Sequence, residues 1–488
     1  MKQYLSILCF FCTFQLSAQT RLTLEQCLNM ALEHNKSIAI AQEQVGQAAA
    51  QKKVAHSSYL PKVDATAAYL YSYQSISLLS ADKFAPVGTL QPDGTLGFTA
   101  EQVNNGFTMV DGKPVPLDAN GQPFNPKVNP EKVQWKNYAY LPKDAFSLPL
   151  HNTVLANIGL TQPLYMGGRI RELNRIADFA QSIAKTQLTA EQTETLYSAE
   201  ENYWQVVSLT HKVRIADEYK ALMSKLEANL EALQEEGMAT KNDVLKVKVR
   251  TNEVNVSLTK ANNGLRLSKM ALCRLIGMPL DSDIALEETF EGALPTAVID
   301  SSDVWRNRAE LQSLDYLGKI AESKVKIAQA GHLPTLGLKA GYLYANPNPY
   351  NGFMPEFAGN FTVAVALQVP IFHWGEHRQT VNVARSERNI AQLKREEASE
   401  KIELQYTQAR LRIKEAAQRS VSAHKNLEQA EENLRYANMG FEEGMVQVAG
   451  VLEAQTAWFS AYSEMIDARI ETELSEAYLK KVSGVWTK

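Results

Sequence analysis

The sequence repeats itself at a fixed spacing, and this constrains the fold more than any single residue does. Pro163 and Pro370, Gly168 and Gly375, Arg171 and Arg378, Leu245 and Leu452, and Gly277 and Gly484 all stand 207 positions apart. So do the two Glu-Glu-Gly-Met quartets that contain Gly237 and Gly444. Upstream, YLPKVDATAAYLY from Tyr59 matches HLPTLGLKAGYLY from His332 at a spacing of 273. The first copy is therefore longer by 66 residues, which fall within Gln74 to His151. That stretch holds nine of the eighteen prolines and reads as an irregular loop. The chain is expected to be one duplicated, elongated domain, with residues 19–300 as the first repeat and 301–488 as the second. Each repeat reads helix, strand, loop, strand, long helix, glycine corner, returning helix.

Proline placement supports the helices. None occurs between Pro163 and Pro279 or after Pro370, and proline would break a helix interior. Both proline-free regions carry heptad-like apolar spacing: Tyr219, Leu222, Leu226, Leu230 and Leu233 in one, and Ala423, Leu427, Ala430, Leu434, Ala437 and Phe441 in the other. A helix from about Gly168 to Glu236 is predicted, on the order of 100 Å long by helix rise. Gly237 and Gly444 fall where each long helix must stop, since glycine takes the left-handed cap conformation without strain. The small residues of the second stripe are expected to let helices approach closely without filling the middle of an assembly.

Ahead of the long helices the period changes to two. Val63, Ala65, Ala67, Tyr69, Tyr71 and Tyr73 alternate with Lys62, Asp64, Thr66 and Ser72. The segments Val154–Leu160, Leu336–Tyr344 and Phe361–Val369 do the same. These are four amphipathic strands, each near the length that crosses a bilayer. Open edges cannot lie in hydrocarbon, so four strands must close with strands of other copies. Known barrels begin at about eight strands, and a trimer of twelve is allowed. Tyr165, Phe372 and Trp374, just past the matching prolines, suit an interfacial aromatic belt.

Residues 1–18 have the pattern of a secretory signal: Lys2, the apolar run Ile7 to Phe14, and small residues ending at Ala18. Of the four cysteines only Cys27 and Cys273 follow it, and they are read as two small half-buried residues rather than one long-range bridge. No other run approaches a transmembrane helix. A formal charge of −4 gives no argument for nucleic acid.

These features together resemble the TolC-like outer membrane efflux protein family. The resemblance rests on Leu60-Pro61 and Leu333-Pro334 before the strands, and on Pro163 to Gly168 and Pro370 to Gly375 entering the long helices. It rests also on Gly237 to Leu245 and Gly444 to Leu452 at the corners, and on the terminal Leu272 to Gly277 and Leu479 to Gly484. It implies an α+β membrane protein: a homotrimer with a 12-stranded outer-membrane β-barrel, a periplasmic α-helical barrel built from the duplicated hairpins, and a mixed region of shorter helices near Leu24–Ser57 and Ser302–Ala330. It further implies a passive exit duct for efflux or type I secretion, opened at its periplasmic tip by an adaptor protein and energised by an inner-membrane pump. Adaptor docking is implied at Gly237, Met238 and Ala239 and at Gly444, Met445 and Val446, with Pro163, Gly168, Pro370 and Gly375 marking the strand-to-helix transitions. Glu453, Asp243 and Phe441 match gating positions of the family. Gly450 stands where a second acid is expected, and Val446 where an arginine is.

Without the resemblance, Glu453 would be an exposed helix glutamate; with it, three copies form a carboxylate ring that attracts cations. Arg171 and Arg378 meet either anionic lipid headgroups or ordinary helix-surface partners. His373 and His377 have metal-compatible spacing, but no third ligand is evident, and neither metal nor cofactor is expected. No phosphate loop, nucleophile elbow or zinc-protease helix is present, so the chain is not read as an enzyme. His151, Asp111 and Asp118 would be the only ingredients of a hydrolase in the insertion. The rival reading is a periplasmic coiled-coil scaffold that spans the envelope without conducting.

Overall fold

The computed structural model describes residues 20–73, 151–287 and 304–487, with short segments of the 74–150 stretch. The expected signal at 1–18 and most of the insertion, Asp118 included, lie outside the described residues. In chain order the elements are β1 (Thr20–Leu22), α1 (Leu24–His34), α2 (Lys36–His56), β2 (Lys62–Tyr71), β3 (Asn152–Tyr165), α3 (Arg169–Glu235), α4 (Lys241–Ile276), β4 (Ile284–Leu286), α5 (Ala309–Ala330), β5 (Thr335–Asn346), β6 (Ala358–Gln368), α6 (Glu376–Glu442) and α7 (Val448–Ser483). Two compact units result. One gathers the chain up to Ser57 with Gly167–Leu333 and Pro370–Lys488, and the other gathers Ser58–Met166 with Pro334–Val369. Each sequence repeat thus gives its helices to one unit and its two long strands to the other, while the short β1 and β4 stay with the helices.

In the helical unit the duplication is residue-for-residue. The long helices α3 and α6 each have 67 residues, and the returning helices α4 and α7 each have 36. At about 1.5 Å per residue the long pair runs on the order of 100 Å. The predicted stripes are buried at Tyr219, Leu226 and Leu230 and at Ala423, Leu427 and Leu434. Their place differs from the expectation for the second stripe. Leu427 and Leu434 pack inside the protomer with Tyr219, Met223 and Ala454, so this face of α6 fills a core rather than bordering an open middle. The opposite face of α6 carries Val383, Ile390, Leu404 and Leu411, a row of sevens interrupted by Glu397, and all four are more than half exposed.

The shorter helix predicted over Leu24–Ser57 is broken at Asn35. That residue ends α1 in extended conformation, and its Oδ1 accepts the Ser37 N–H at 2.8 Å to cap α2. Thr23 and Gln26 close a capping box at the start of α1. β1 and β4 pair in parallel, and beside them Cys27 and Cys273 are fully buried in one core and unbonded. Burial pushes the Cys27 thiol up to about 12, as befits an inert core cysteine.

The strand unit holds one antiparallel sheet of order β6-β5-β3-β2. Its register joins the alternation of the separate strands into continuous rows. Val63, Leu160, Ala340 and Val363 stand side by side, as do Ala65, Ile158, Tyr342 and Phe361. The next positions along, on the other face, are Lys62, Thr161, Lys339 and Ala364, then Thr66, Asn157, Leu343 and Asn360. One face is therefore apolar and the other mainly polar across the full width. β2 and β6 end the sheet, and every residue of β2 is exposed.

The positive-φ glycines also repeat at 207: 168 and 375, 237 and 444, 277 and 484. The last pair separates backbone from packing. Gly277 and Gly484 have φ of 77° and 71°, but a Cβ on Gly277 would collide with His34 Cβ, whereas on Gly484 the nearest atom lies 3.6 Å away. Both alanine variants carry the left-handed strain of about 1 kcal/mol. Gly277→Ala is expected to lose about 1–3 kcal/mol more through overpacking, read as a lower midpoint for helix melting than Gly484→Ala gives.

Candidate functional site

The two corners are built alike. At the end of α3 the Met238 N–H donates to the Leu233 carbonyl at 2.8 Å and the Gly237 N–H to Gln234 at 3.0 Å, with Gly237 at φ 76°. At the end of α6 the Met445 N–H donates to Gly440 at 2.7 Å and the Gly444 N–H to Phe441 at 3.0 Å, with Gly444 at φ 75°. Both are six-to-one helix stops, which need a left-handed residue at the glycine. They leave Met238 and Met445 outermost, 69% and 73% exposed. Ala239 and Val446, next in line, turn inward onto a shared core of Leu226, Leu230, Val244, Val247, Val448 and Val451.

Side-chain volume is exchanged between the copies. The first corner pairs Leu233 at the helix end with Ala239 in the turn; the second pairs Gly440 with Val446. A Cβ on Gly440 would stand 2.6 Å from Val446 Cγ2, and one on Gly450 would stand 3.0 Å from Val446 Cγ1. Val446 therefore fills the space that Gly440 and Gly450 leave open. Val446 and Gly450, where the resemblance implies an arginine and an acid, thus belong to one packing arrangement.

Asp243 and Phe441 line the same cleft of about 970 Å³ between the corners, with Lys246 and Val446. Asp243 is engaged within its own helix start. The Thr240 hydroxyl donates to its Oδ2 at 2.6 Å, the Asp243 N–H donates to Thr240 Oγ1 at 3.3 Å, and Lys246 Nζ donates to Oδ1 at 3.5 Å. The Thr240 hydrogen bond, and then Lys246, hold this carboxyl below the usual aspartate range. The stability that the ionised carboxylate adds through these bonds is thus present above the ordinary value of about 3.9 and is lost as pH falls through the depressed one. The second corner has no such cap: Gln447 gives α7 no side-chain bond.

Glu453 is exposed and lines a groove of about 540 Å³ with Lys246, Arg250, Glu253, Leu452 and Thr456. Sequence reasoning missed Arg250. Its Nη2 donates to Thr456 Oγ1 at 3.0 Å and its Nε to the Tyr219 hydroxyl at 3.4 Å, while Nη1 pairs with Glu253 at 2.8 Å. Tyr219 stacks on Phe459, with ring centroids 4.9 Å apart. One arginine thus ties α4 to α3 and α7. Nothing in the sequence marks it, because the three acceptors come from separate segments.

The transition residues differ between copies. Gly168 and Gly375 both precede helices in left-handed conformation. Pro370, however, follows the end of β6, whereas β3 continues past Pro163 to Tyr165 with a register shift there. Proline removes a ladder donor, and a bulge absorbs that loss. The first transition therefore begins at Tyr165 rather than Pro163. Beyond the second, Trp374 takes φ 48° and is 90% exposed.

Comparison with known proteins places these features in context. The family model for outer membrane efflux protein matches residues 301–485. The outer membrane protein TolC of Vibrio cholerae is 24% identical over 344 residues, covering 67% of this chain and 76% of that protein. The outer membrane protein VceC of Vibrio cholerae superposes with a TM-score of 0.69 at 15% identity, covering 94% of this chain and 96% of that one. The CmeC outer membrane channel of Campylobacter jejuni gives 0.68 at 16% identity, covering 94% and 85%. In sequence and in fold the chain is similar to the outer membrane efflux proteins.

The packing at the second corner is testable by compensation. Gly440→Ala is expected to cost about 1–3 kcal/mol by driving its methyl into Val446. Val446→Ala added to it should recover most of that loss, measured as proteolytic nicking between Phe441 and Val448. Equal nicking in the single and double variants would contradict the arrangement.

Proposed function

We infer that this chain, similar in sequence and fold to the outer membrane efflux proteins, is an outer-membrane efflux channel. The observation that carries this is the sheet: four strands with apolar and polar rows in register and two unpaired edges. An apolar face suits lipid and a polar face a wet lumen, and the edges require strands of other copies. Three protomers would supply twelve strands, and the half-exposed heptad row of α6, with Leu245, Val249 and Val256 of α4, would be covered by the neighbouring copies.

Opening is proposed to occur at the corners. An adaptor protein docks on Gly237, Met238 and Ala239 and on Gly444, Met445 and Val446, and favours the open arrangement by binding it more tightly than the closed one. Glu453, brought together from three copies, narrows and charges the aperture. The sequence carries no phosphate-binding loop, and the energy is proposed to come from an inner-membrane pump.

Purified protein in a planar bilayer should conduct, and Glu453→Gln should change its cation preference. A protein that inserts but stays silent in both forms would favour the scaffold reading. The sheet gives a second measurement. Val365→Lys, on the apolar row in mid-strand, is expected to lower the yield of assembled outer-membrane protein, with a cost of about 2–4 kcal/mol for a lysine facing lipid. Thr362→Lys, on the polar face, should leave that yield near the parent level. Equal yields would argue against the orientation of the sheet.

A further inference from the structure

The sequence holds a histidine pair without a third partner, and the fold supplies one. His332 lies in the turn after α5, three residues before β5, while His373 and His377 follow β6 and begin α6. The turn and the helix start meet. The rings of His332 and His377 have centroids 4.8 Å apart, and those of His373 and His377 4.6 Å apart. His377 is fixed between them, its Nδ1 only 3.3 Å from where a Cβ on Gly331 would lie. Its Nε2 is buried and has no hydrogen-bond partner among the described residues. A buried ring nitrogen left unpaired is costly, roughly 1–3 kcal/mol, so its retention calls for a ligand.

We propose that His332, His373 and His377 form a binding site for a borderline divalent transition-metal ion of the copper, nickel and zinc class. Imidazole is the ligand these ions share. With metal–nitrogen bonds of about 2.1 Å, two imidazoles on one ion have centroids roughly 4.5–5.5 Å apart for right-angled to tetrahedral arrangements. Both observed separations fall in that range. As the side chains stand, no group of three or more His, Cys, Asp or Glu among the described residues is arranged to hold a metal ion. The ion would turn the exposed His332 and His373 rings toward the fixed His377. Glu376 Oε2, 3.9 Å from His373 Nδ1, is placed to orient that ring from behind, leaving Nε2 for the metal. Bound there, the ion would staple the two feet of the β5–β6 hairpin.

The site is separate from the corners and does not depend on conduction. The test is titration of untagged, full-length protein with Cu²⁺ alone, followed by electron paramagnetic resonance. One copper per chain with splitting from at least two imidazole nitrogens is expected. His332→Gln and His377→Gln should each weaken binding by about ten-fold or more. His424→Gln, an exposed helix histidine paired with Glu428, should leave it unchanged. Because either site variant could disturb assembly, histidine labelling of the parent protein provides a second reading. Copper should protect residues 332, 373 and 377 and leave 424 reactive. Substoichiometric copper, a single-nitrogen spectrum, unchanged affinity in both site variants, or labelling insensitive to copper would each overturn the proposal.

Discussion

Backbone without a partner strand among the described residues, at the two edges of the four-stranded sheet, is the constraint on which the rest depends. A strand edge in hydrocarbon leaves several kcal/mol per donor or acceptor unmet, because no water is there to replace the missing bond. β2 and β6 end the sheet, and all but one of their residues are exposed. A single copy in the membrane would leave both edges unmet, which is why the proposed channel needs more than one. The same need for neighbours appears on the helices, where Val383, Ile390, Leu404 and Leu411 present a heptad row to solvent. Sheet edge and helix face make one demand through different chemistry, hydrogen bonding in one and apolar area in the other.

Duplication meets that demand economically, since two copies of one hairpin give matched helix lengths without separate evolution of each. The match is kept wherever backbone geometry sets it, as in the 67- and 36-residue helices and the left-handed glycines. It is relaxed wherever packing sets it. Leu233 with Ala239 and Gly440 with Val446 fill equivalent space by opposite assignments of volume. The first corner also keeps a side-chain cap from Thr240 and Asp243, which the second lacks. One chain thus presents two corners of the same shape and different surface chemistry.

Much of the architecture was legible because it depends on local rules that the sequence states twice. Proline-free stretches, a heptad stripe ending at glycine, and period-two alternation each specify an element with no knowledge of its neighbours. Errors arose where neighbours decide. The Ala423 to Leu434 stripe could not reveal which partner it faces, and it proved to be the protomer's own core. Pro163 could not reveal that a bulge would carry β3 past it.

By itself the sequence determined the repeat, the order of its main elements, the length of the first long helix, and the amphipathic face of each strand, because periodicity and backbone-breaking residues act within a few positions of themselves. Tertiary structure alone decided which faces meet: the cross-strand register that aligns four alternations into one apolar sheet, the seat of Val446 between two glycines, the reach of Arg250 across three helices, and the approach of His332 to His377. Apart from the seat of Val446, which a turn of a few residues closes, these are contacts between residues from tens to more than two hundred positions apart, and only the folded backbone sets such distances.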